Sequence, residues 1–347
     1  MIAAERLPYS PHPCYNPPMV GKQGDFFDGL QNLTEAFLTR RKRIRRIKKE
    51  KQMAKNPILD WIEAFVWAAG MVLLANQYLI QAYVIPSGSM INTLLIGDRI
   101  FVNKLIYGPE LLPGLAKLPS PIKPARNDII IFENPSYISR GPVFDVAQRI
   151  IFMLTVSLVD IDRDETGQPR AHFLIKRAVG MGGDRFIMEK GEMKVAFAGE
   201  DRWINEREFI AQRGWNHHIN RLMEERQYLT LEMAGKAAAW QDVGLPVPER
   251  LQPAMTSVNN IRYPDYLAHE KARLETLRGA MPHDRRYATL SARYSLGWYV
   301  PEGRIFPLGD NRDNSRDGRY FGPVQVSKVL GKGALIFWPL RRIGTIR

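Results

Sequence analysis

The chain has 347 residues, of which 45% are apolar, and it carries a formal net charge of +13. A chain of this length and composition can bury a sizeable core, which excludes a disordered protein, a disulfide-stapled mini-domain and a multi-pass membrane protein. The sole cysteine is Cys14, so intramolecular disulfides and cysteine-based zinc sites are excluded as well. The excess positive charge fits nucleic-acid binding, a membrane surface or a local cause.

Most of that charge lies in one run near the N-terminus. From Arg40 to Lys55, ten lysines and arginines and one glutamate give a net charge of +9, which leaves +4 for the other 331 residues. Such a run is a solvated linker, a nucleic-acid patch or a juxtamembrane segment. Residues 1–29 contain five prolines and are predicted to be disordered, and residues 30–55 fit an amphipathic helix lying on anionic lipid.

The stretch after the basic run predicts a membrane anchor over residues 57–82. No charged residue occurs from Ala64 to Gly97, a span of 34 residues. A helix from Ile58 to Ile80 is roughly 34 Å long, which is enough to cross a bilayer. Because basic residues flank such helices on the cytoplasmic side, residues 1–56 are predicted to be a cytoplasmic tail and the large C-terminal part to face outward.

After the anchor, β-type runs broken by glycine and proline predict a β-rich catalytic domain made of residues 83–190 and 294–347. The intervening residues 191–293 are predicted to be a mostly helical insertion. Residues 150–159 form a second apolar run, which is too short to span a membrane and is expected in the core or at an interface. The predicted strands are Ala82–Ile85, Arg99–Leu105, Asp128–Phe132, Phe173–Val179, Trp298–Val300, Arg304–Leu308 and Lys328–Phe337. The predicted helices are Glu206–Trp215, His218–Trp240 and Tyr266–Leu277.

Three short motifs carry residues suited to chemistry. They read IPSGSMINTL at residues 85–94, IKRAVGMGGD at residues 175–184 and GDNRDNSRDGRYFG at residues 309–322. In this order, behind an N-terminal anchor, they resemble the bacterial type I signal peptidases. These are membrane-anchored Ser/Lys proteases that remove signal peptides from exported preproteins. The resemblance covers roughly residues 83–107, 124–132, 172–186 and 299–339.

The residues themselves agree with a Ser/Lys pair. A serine hydroxyl needs a base beside it to act as a nucleophile. No motif places a histidine for that role, and His172 lies about 13 Å from Lys176 along the same strand. A lysine can be the base if burial lowers its pKa from about 10.4. Lys176 lies in an apolar run, and the neighbouring Arg177 points to the opposite face of the strand.

The resemblance implies a role for each of these positions. Ser89 would be the nucleophile and Lys176 the general base, later the general acid to the leaving amine. The oxyanion hole would be the backbone N–H of Ser89 and the hydroxyl of Ser87. Ser315 would orient the lysine amine. The other residues expected to support the site are Asp317, Arg319, Gly88 and Met90.

The resemblance also implies a fold and a setting. The expected fold is a mainly β catalytic core of the signal-peptidase type with a helical insertion, preceded by a single transmembrane helix. The expected reaction is hydrolysis after the signal peptide through an acyl-enzyme, with no cofactor and no metal. The expected partners are exported preproteins with signal peptides and the lipid bilayer, and not nucleic acid. The expected location is the bacterial inner membrane, with the catalytic domain on the outer, periplasmic side.

Three positions depart from the family pattern. Asn92 stands where proline is usual, and Asn127 stands where glycine usually precedes Asp128. With Gly182, the chain reads Met-Gly-Gly-Asp where Leu-Pro-Gly-Asp is usual. None of them removes a proposed catalytic group, so they bear on loop rigidity and pocket shape. Four apolar side chains near Ser89 fit either a surface that touches lipid or the core: Ile91, Leu94, Leu95 and Ile96.

Three other interpretations stay open. A self-cleaving transcriptional repressor also uses a Ser/Lys dyad, and its basic run would bind DNA, but the long uncharged stretch argues against it. An inactive anchored scaffold would bind partners through the insertion. Within the enzyme class, a processing peptidase for one dedicated substrate is also compatible with the sequence.

Overall fold

The computed structural model describes residues 34–47, 57–112, 116–120, 122–155, 157–165, 167 and 170–346. The chain divides into two compact units, residues 1–67 and 68–347. Residues 34–47 form helix α1, whose side chains are exposed. The predicted disorder of residues 1–29 lies outside the described residues, as does the rest of the predicted amphipathic helix.

Helix α2 covers Pro57–Tyr78 and is apolar along nearly its whole length. It is the one helix in the described part of the chain that is long and apolar enough to cross a membrane. Its large side chains are exposed, with Trp61 at 79% and Phe65 at 73%. Apolar exposure on this scale is unfavourable in water and is removed in a bilayer. The helix ends four residues before the predicted end of the anchor, because the chain enters the first strand at Ile80.

The strands of the described residues are β1 (Ile80–Val84), β2 (Arg99–Asn103), β3 (Glu110–Leu112), β4 (Ala116–Lys117), β5 (Ile129–Glu133), β6 (Phe173–Gly180), β7 (Arg185–Glu189), β8 (Glu192–Ala196), β9 (Ile204–Asn205), β10 (Trp298–Tyr299), β11 (Arg304–Leu308), β12 (Val324–Gln325), β13 (Val329–Trp338) and β14 (Gly344–Thr345). The helices after α2 are α3 (Pro142–Leu154), α4 (Glu206–Gln212), α5 (Glu225–Asp242), α6 (Gln252–Ser257), α7 (Tyr266–Ala280), α8 (Arg285–Leu296) and α9 (Gly318–Phe321).

The main sheet is an antiparallel half-barrel of eight strands in the order β1-β2-β13-β5-β6-β11-β12, with β14 added to β13. Branched apolar residues recur along its central strands because such side chains pack well on a pleated surface. Val102, Ile129 and Ile131 lie together in one buried cluster, as does Leu94. The predicted mainly β core with helices and one apolar N-terminal helix is therefore confirmed. Leu94 belongs to the core, whereas Ile96 is 65% exposed.

A smaller antiparallel sheet, β10-β7-β8-β9, carries the helical part of the chain. Helices α4 to α8 all lie between β9 and β10 in sequence. Helix α5 crosses α7 at Gly235, where an added Cβ would collide with the carbonyl oxygen of His269. Only glycine permits that close an approach of the two backbones. Residues 191–293, which were predicted to be a mostly helical insertion, begin with the two strands β8 and β9 and continue as helices.

One predicted helix is wrong in extent. Residues 218–224 were predicted to be helical, but α5 begins only at Glu225. The reason is tertiary, because Asn220 forms a parallel bridge with Asn311 and its backbone groups bond there. Of the apolar run 150–159, residues 150–154 form the C-terminal end of α3, a helix that begins at Pro142.

Candidate active site

Ser89 lies in a single 3-10 turn, Gly88–Met90, that follows the edge strand β1. The turn is fixed by Asn311, whose side-chain Nδ2 donates to the Gly88 carbonyl at 2.9 Å and whose backbone N–H donates to the Ser89 carbonyl at 3.0 Å. Met90 is 1% exposed and anchors the turn in the core. The serine is therefore held rigidly, with its side chain 7% exposed.

Lys176 reaches Ser89 from β6, a strand in the middle of the sheet. Its Nζ donates to Ser89 Oγ at 2.7 Å and to the Ile175 carbonyl at 3.1 Å. The lysine is 3% exposed. Burial lowers the pKa of Lys176 to about 8, while the nearby carboxylates of Asp317 and Asp310 act in the opposite direction. The pair predicted from the motifs is therefore in direct contact, and its amine is close to losing its proton at neutral pH.

Arg177, the next residue of β6, points to the opposite face and makes a buried ion pair. Its Nε and Nη2 donate to the two carboxylate oxygens of Asp310 at 2.8 and 2.7 Å. Both side chains are 1% exposed. Burial alone would raise the pKa of Asp310, but the bonds from Arg177 bring it below its ordinary value. The pair ties β6 to the loop that follows β11 and so aligns two of the motifs.

The same loop holds the supporting residues of the third motif. Asp317 Oδ2 accepts from the backbone N–H of Gly309 at 2.9 Å, and its Oδ1 accepts from Arg319 Nε at 2.9 Å. Both side chains are buried, and Arg319 lowers the pKa of Asp317 against the effect of burial. Ser315 Oγ is buried without a hydrogen-bond partner among the described residues, so the expected bond to Lys176 is absent from this structure.

Ser87 and Gly88 complete the turn around Ser89. Ser87 is exposed, and its Oγ lies 3.4 Å from Ser89 Oγ. Gly88 is buried, and an added Cβ would lie 2.7 Å from Ile91 Cδ1. The hydroxyl of Ser87 thus donates to Ser89 Oγ in this structure, and no larger residue fits at position 88 without moving Ile91.

A cleft of about 600 Å³ leads to Ser89 and Lys176 between β1 and β6. The odd-numbered residues of β1 bond to β2, as Ile85 N–H does to the Asp98 carbonyl at 2.9 Å. By alternation, Ala82 and Val84 direct their backbone groups away from β2. The carbonyl of Ala82 accepts from Ser157 Oγ, whereas Val84 lines the cleft. The same reasoning on β6 directs Ile175 away from β5, because the even-numbered Ala178 bonds to β5's side at Asp128. Val84 and Ile175 therefore line the cleft with backbone groups that do not pair with β2 or β5.

The histidine nearest to the lysine in sequence has other partners. His172 stacks on Tyr137 with 3.8 Å between ring centroids, and its Nε2 lies 3.1 Å from Asp162 Oδ2. Burial lowers the pKa of His172. The basic side chain in contact with Ser89 is therefore Lys176.

Comparison with known proteins identifies the family. The profile of the family described as Signal peptidase, peptidase S26, matches residues 58–338. The chain belongs to this signal peptidase family. It is similar to Signal peptidase I of Haemophilus influenzae, with 26% identity over 82% of this chain and 70% of that protein. Signal peptidase I of Aquifex aeolicus is 25% identical over 77% of this chain and 79% of its own. Signal peptidase I of Pseudomonas aeruginosa is 26% identical over 80% and 69%.

Two of the departures from the signal peptidase pattern have a backbone explanation. Asn92 has φ +84° and Asn127 has φ +78°. Asparagine tolerates this left-handed region better than most residues, so Asn127 keeps a conformation suited to the usual glycine. Proline cannot adopt it, so the turn at Asn92 differs from one built on proline. Asn127 also accepts a bond from Arg177 Nη1 on its side-chain oxygen at 2.9 Å.

Sequence reasoning missed Asn311 and Asn220 as parts of the site. Asn311 was inside the third motif, and its amide holds the turn that carries Ser89. Asn220 lies in the helical region, where its N–H donates to the Asp310 carbonyl at 2.8 Å and its carbonyl accepts from Arg312 N–H at 3.1 Å. The motif itself was a signal for Asn311. Asn220 is an isolated residue with no motif, and only the fold reveals its contact.

Proposed function

We propose that this signal peptidase family member cleaves signal peptides from exported preproteins with Ser89 as nucleophile and Lys176 as general base. The observation that carries the proposal is the 2.7 Å bond between Lys176 Nζ and Ser89 Oγ, buried away from water. A buried lysine with a pKa of about 8 is neutral in a useful fraction of molecules near neutral pH. A neutral amine has a lone pair that can take the serine proton.

The reaction then follows in two balanced halves. Lys176 takes the proton of Ser89 Oγ as the oxygen attacks the carbonyl carbon before the cut. The negative charge on the carbonyl oxygen is stabilised by the backbone N–H of Ser89 and the hydroxyl of Ser87. Lys176 returns the proton to the leaving amine, which leaves an acyl-enzyme. Water then attacks the ester, again with Lys176 as base, and Ser89 recovers its proton when the acid product leaves.

The substrate is proposed to bind as an extended strand in the cleft. Val84 on β1 and Ile175 on β6 offer backbone donors and acceptors on either side, as β-strand addition requires. Family resemblance adds small side chains at the first and third positions before the cut. Ser315, Asp317 and Arg319 are proposed to support the lysine side of the site.

The membrane setting is proposed to follow from α2. The helix would cross the bilayer once, with the basic run on the cytoplasmic side and the catalytic domain on the outer side. Because β1 begins two residues after α2 ends, the cleft would lie close to the outer leaflet. Signal peptides sit in the membrane, so only the segment around the cut must reach Ser89.

The proposal is tested with purified full-length protein and a preprotein carrying Ala-x-Ala before its cut. We expect Ser89→Ala and Lys176→Ala each to lower the cleavage rate by about 10⁴-fold or more without loss of the fold. Matched controls are Ser327→Ala and Lys328→Ala, two exposed positions in the 3-10 turn before β13, which should cleave normally. Near-normal cleavage by Lys176→Ala would refute the dyad, and absence of cleavage by wild type would favour the scaffold interpretation.

A further inference from the structure

Helix α3 presents a wholly apolar face outward. Val143 is 83% exposed, Ile150 is 41% and Leu154 is 40%. Val146 and Ala147, on the same side of the helix, are exposed too. The spacing of these five residues keeps them within about 100° of the helix circumference, a single stripe. We call Val143, Val146, Ala147, Ile150 and Leu154 the outer stripe of α3.

The opposite face of α3 is the one that meets the protein, and it is the more polar. Gln148 is 3% exposed and Phe152 packs on Tyr83, and both line the cleft that leads to Ser89. A helix on a water-exposed surface has the opposite arrangement, with its apolar residues facing the core and its charged residues facing the solvent. The outer stripe therefore requires an apolar neighbour that covers it.

The position of α3 along α2 indicates what that neighbour is. Asn76, in the last turn of α2, donates from Nδ2 to the carbonyl of Met153 at 3.2 Å. The 22 residues of α2 are about 33 Å long, so a bilayer core of about 30 Å ends near this turn. The C-terminal end of α3 is thereby held at the depth where hydrocarbon gives way to headgroups.

The other end of α3 carries two exposed arginines. Arg140 and Arg163 lie beside the start of the helix, and Arg140 Nη2 donates to the carbonyl of Arg163. Arg140 Nε also pairs with the buried Asp162 at 3.2 Å, which offsets part of its charge. Exposed arginines beside an apolar helical stripe can bind anionic headgroups.

We propose that α3 is an interfacial helix whose outer stripe lies in the outer leaflet of an anionic bilayer. Its inner face then holds one wall of the substrate cleft against the membrane surface. The inference rests on the proposed spanning of the membrane by α2 and extends it to a second element. A second copy of this chain, or another protein, would cover the same stripe by a different contact, and the test separates these.

The test uses the full-length chain with Cys14→Ser, reconstituted alone in phosphatidylglycerol and phosphatidylethanolamine vesicles with brominated acyl chains. A single cysteine, introduced as Ile150→Cys, carries an environment-sensitive fluorophore. Leu290→Cys on α8 is the matched exposed control, and Val72→Cys on α2 is the buried-in-lipid control. We expect strong quenching by bromine at positions 72 and 150 and none at position 290.

Three other results would each overturn the proposal. Quenching at position 72 with position 150 behaving like position 290 would leave α2 as an anchor and remove α3 from the lipid. Energy transfer between labelled copies at position 150, without bromine quenching, would mean that a second copy covers the stripe. Absence of quenching at position 72 would show that α2 does not span, and the inference on α3 would fail with it.

A functional readout separates lipid contact from folding. Ile150→Asp should raise the KM for a preprotein embedded in vesicles about tenfold, because a carboxylate opposes insertion of the stripe. Hydrolysis of a short water-soluble peptide in detergent should stay unchanged, as should both activities of the control Leu290→Asp. A loss of peptide hydrolysis equal to the loss on vesicles would mean that the stripe supports the fold and not the membrane contact.

Discussion

At Lys176, burial and neighbouring charge act on the amine in opposite directions. Burial lowers its pKa, Asp317 and Asp310 raise it, and Arg319 lowers it. Burial has the largest effect, because both carboxylates are already engaged by arginines of their own. The arginine pairs thus keep two negative charges near the site without holding the lysine in its charged form.

The first prediction is a pH dependence that follows from this balance. The proposed general base must be neutral to act, and the pKa of Lys176 lies at about 8, so kcat/KM should rise with pH below 8 and level off above it. The measurement is a pH profile of peptide cleavage in detergent. A flat profile from pH 6 to 9 would contradict the assignment of Lys176 as the base.

The second prediction concerns Gly309, which lies between Ser89 and Ser315. A Cβ at this position would lie 2.6 Å from the Ser89 carbonyl oxygen and would collide with Ser315 Oγ. We expect Gly309→Ala to lower kcat by about a hundredfold, because the nucleophile must shift. Gly279→Ala in α7 meets nothing within 4 Å and should leave kcat unchanged. Equal activity of the two variants would show that the turn of Ser89 tolerates displacement.

At the scale of elements, a buried ion pair joins α4 to the loop that follows β11. Arg312 Nη1 and Nη2 donate to the two oxygens of Glu206 at 2.5 and 2.7 Å, and the side chains are 1% and 4% exposed. Arg312 also donates from Nε to the Gly309 carbonyl at 2.9 Å. The helical region therefore braces the loop that supports the lysine.

The third prediction is that Glu206→Gln lowers the free energy of unfolding by about 3–5 kcal/mol, because it leaves the guanidinium of Arg312 buried without a counter-charge. Thermal unfolding in detergent micelles measures the loss. Glu208→Gln, on the same helix but exposed, should change stability little. Equal melting temperatures for the wild type and Glu206→Gln would mean that water reaches the Arg312 guanidinium.

The elements that sequence could predict are those whose pattern is local. Strands β5, β6 and β11 could be predicted from their apolar runs, and helix α2 from the uncharged stretch that begins at Ala64. Helix α3 was not predicted as a helix, because only its C-terminal residues 150–154 belong to the apolar run, which was expected in the core or at an interface. Residues 218–224 were taken as helix because the bridge between Asn220 and Asn311 joins positions far apart in sequence.

The proposed catalytic residues of the candidate site could be predicted from sequence, whereas their contacts could not. Ser89, Lys176 and Ser87 could be named from motifs because the chemistry needs those residue types. The 2.7 Å contact could not, since it depends on β1 and β6 closing a cleft around it. The unpartnered Ser315 Oγ could not be foreseen either, because the motif implies a bond that this structure does not form.

At the scale of the whole molecule, charge and hydropathy predict a direction across the membrane. The run of net charge +9 precedes α2, and the +4 of the remaining chain is spread over 331 residues. Basic residues next to a span are retained on the cytoplasmic side. The nucleophile and its base would then lie on the opposite side, where exported preproteins emerge.

The fourth prediction tests that direction in intact spheroplasts, in full-length chains with Cys14→Ser. Thr39→Cys on α1 should resist a membrane-impermeant maleimide until the cells are lysed, whereas Leu290→Cys on α8 should react at once. Both positions are exposed in the folded protein, so access depends on the membrane alone. Labelling of Thr39→Cys before lysis would reverse the topology.

The bond from Asn311 to the turn of Ser89 joins residues 223 positions apart, and the bond from Lys176 joins residues 87 apart. During synthesis Ser89 leaves the ribosome well before Lys176 and long before Asn311. The site therefore assembles only after residue 311 has been made. A nascent chain that has not reached this residue lacks the contact that fixes the turn of Ser89.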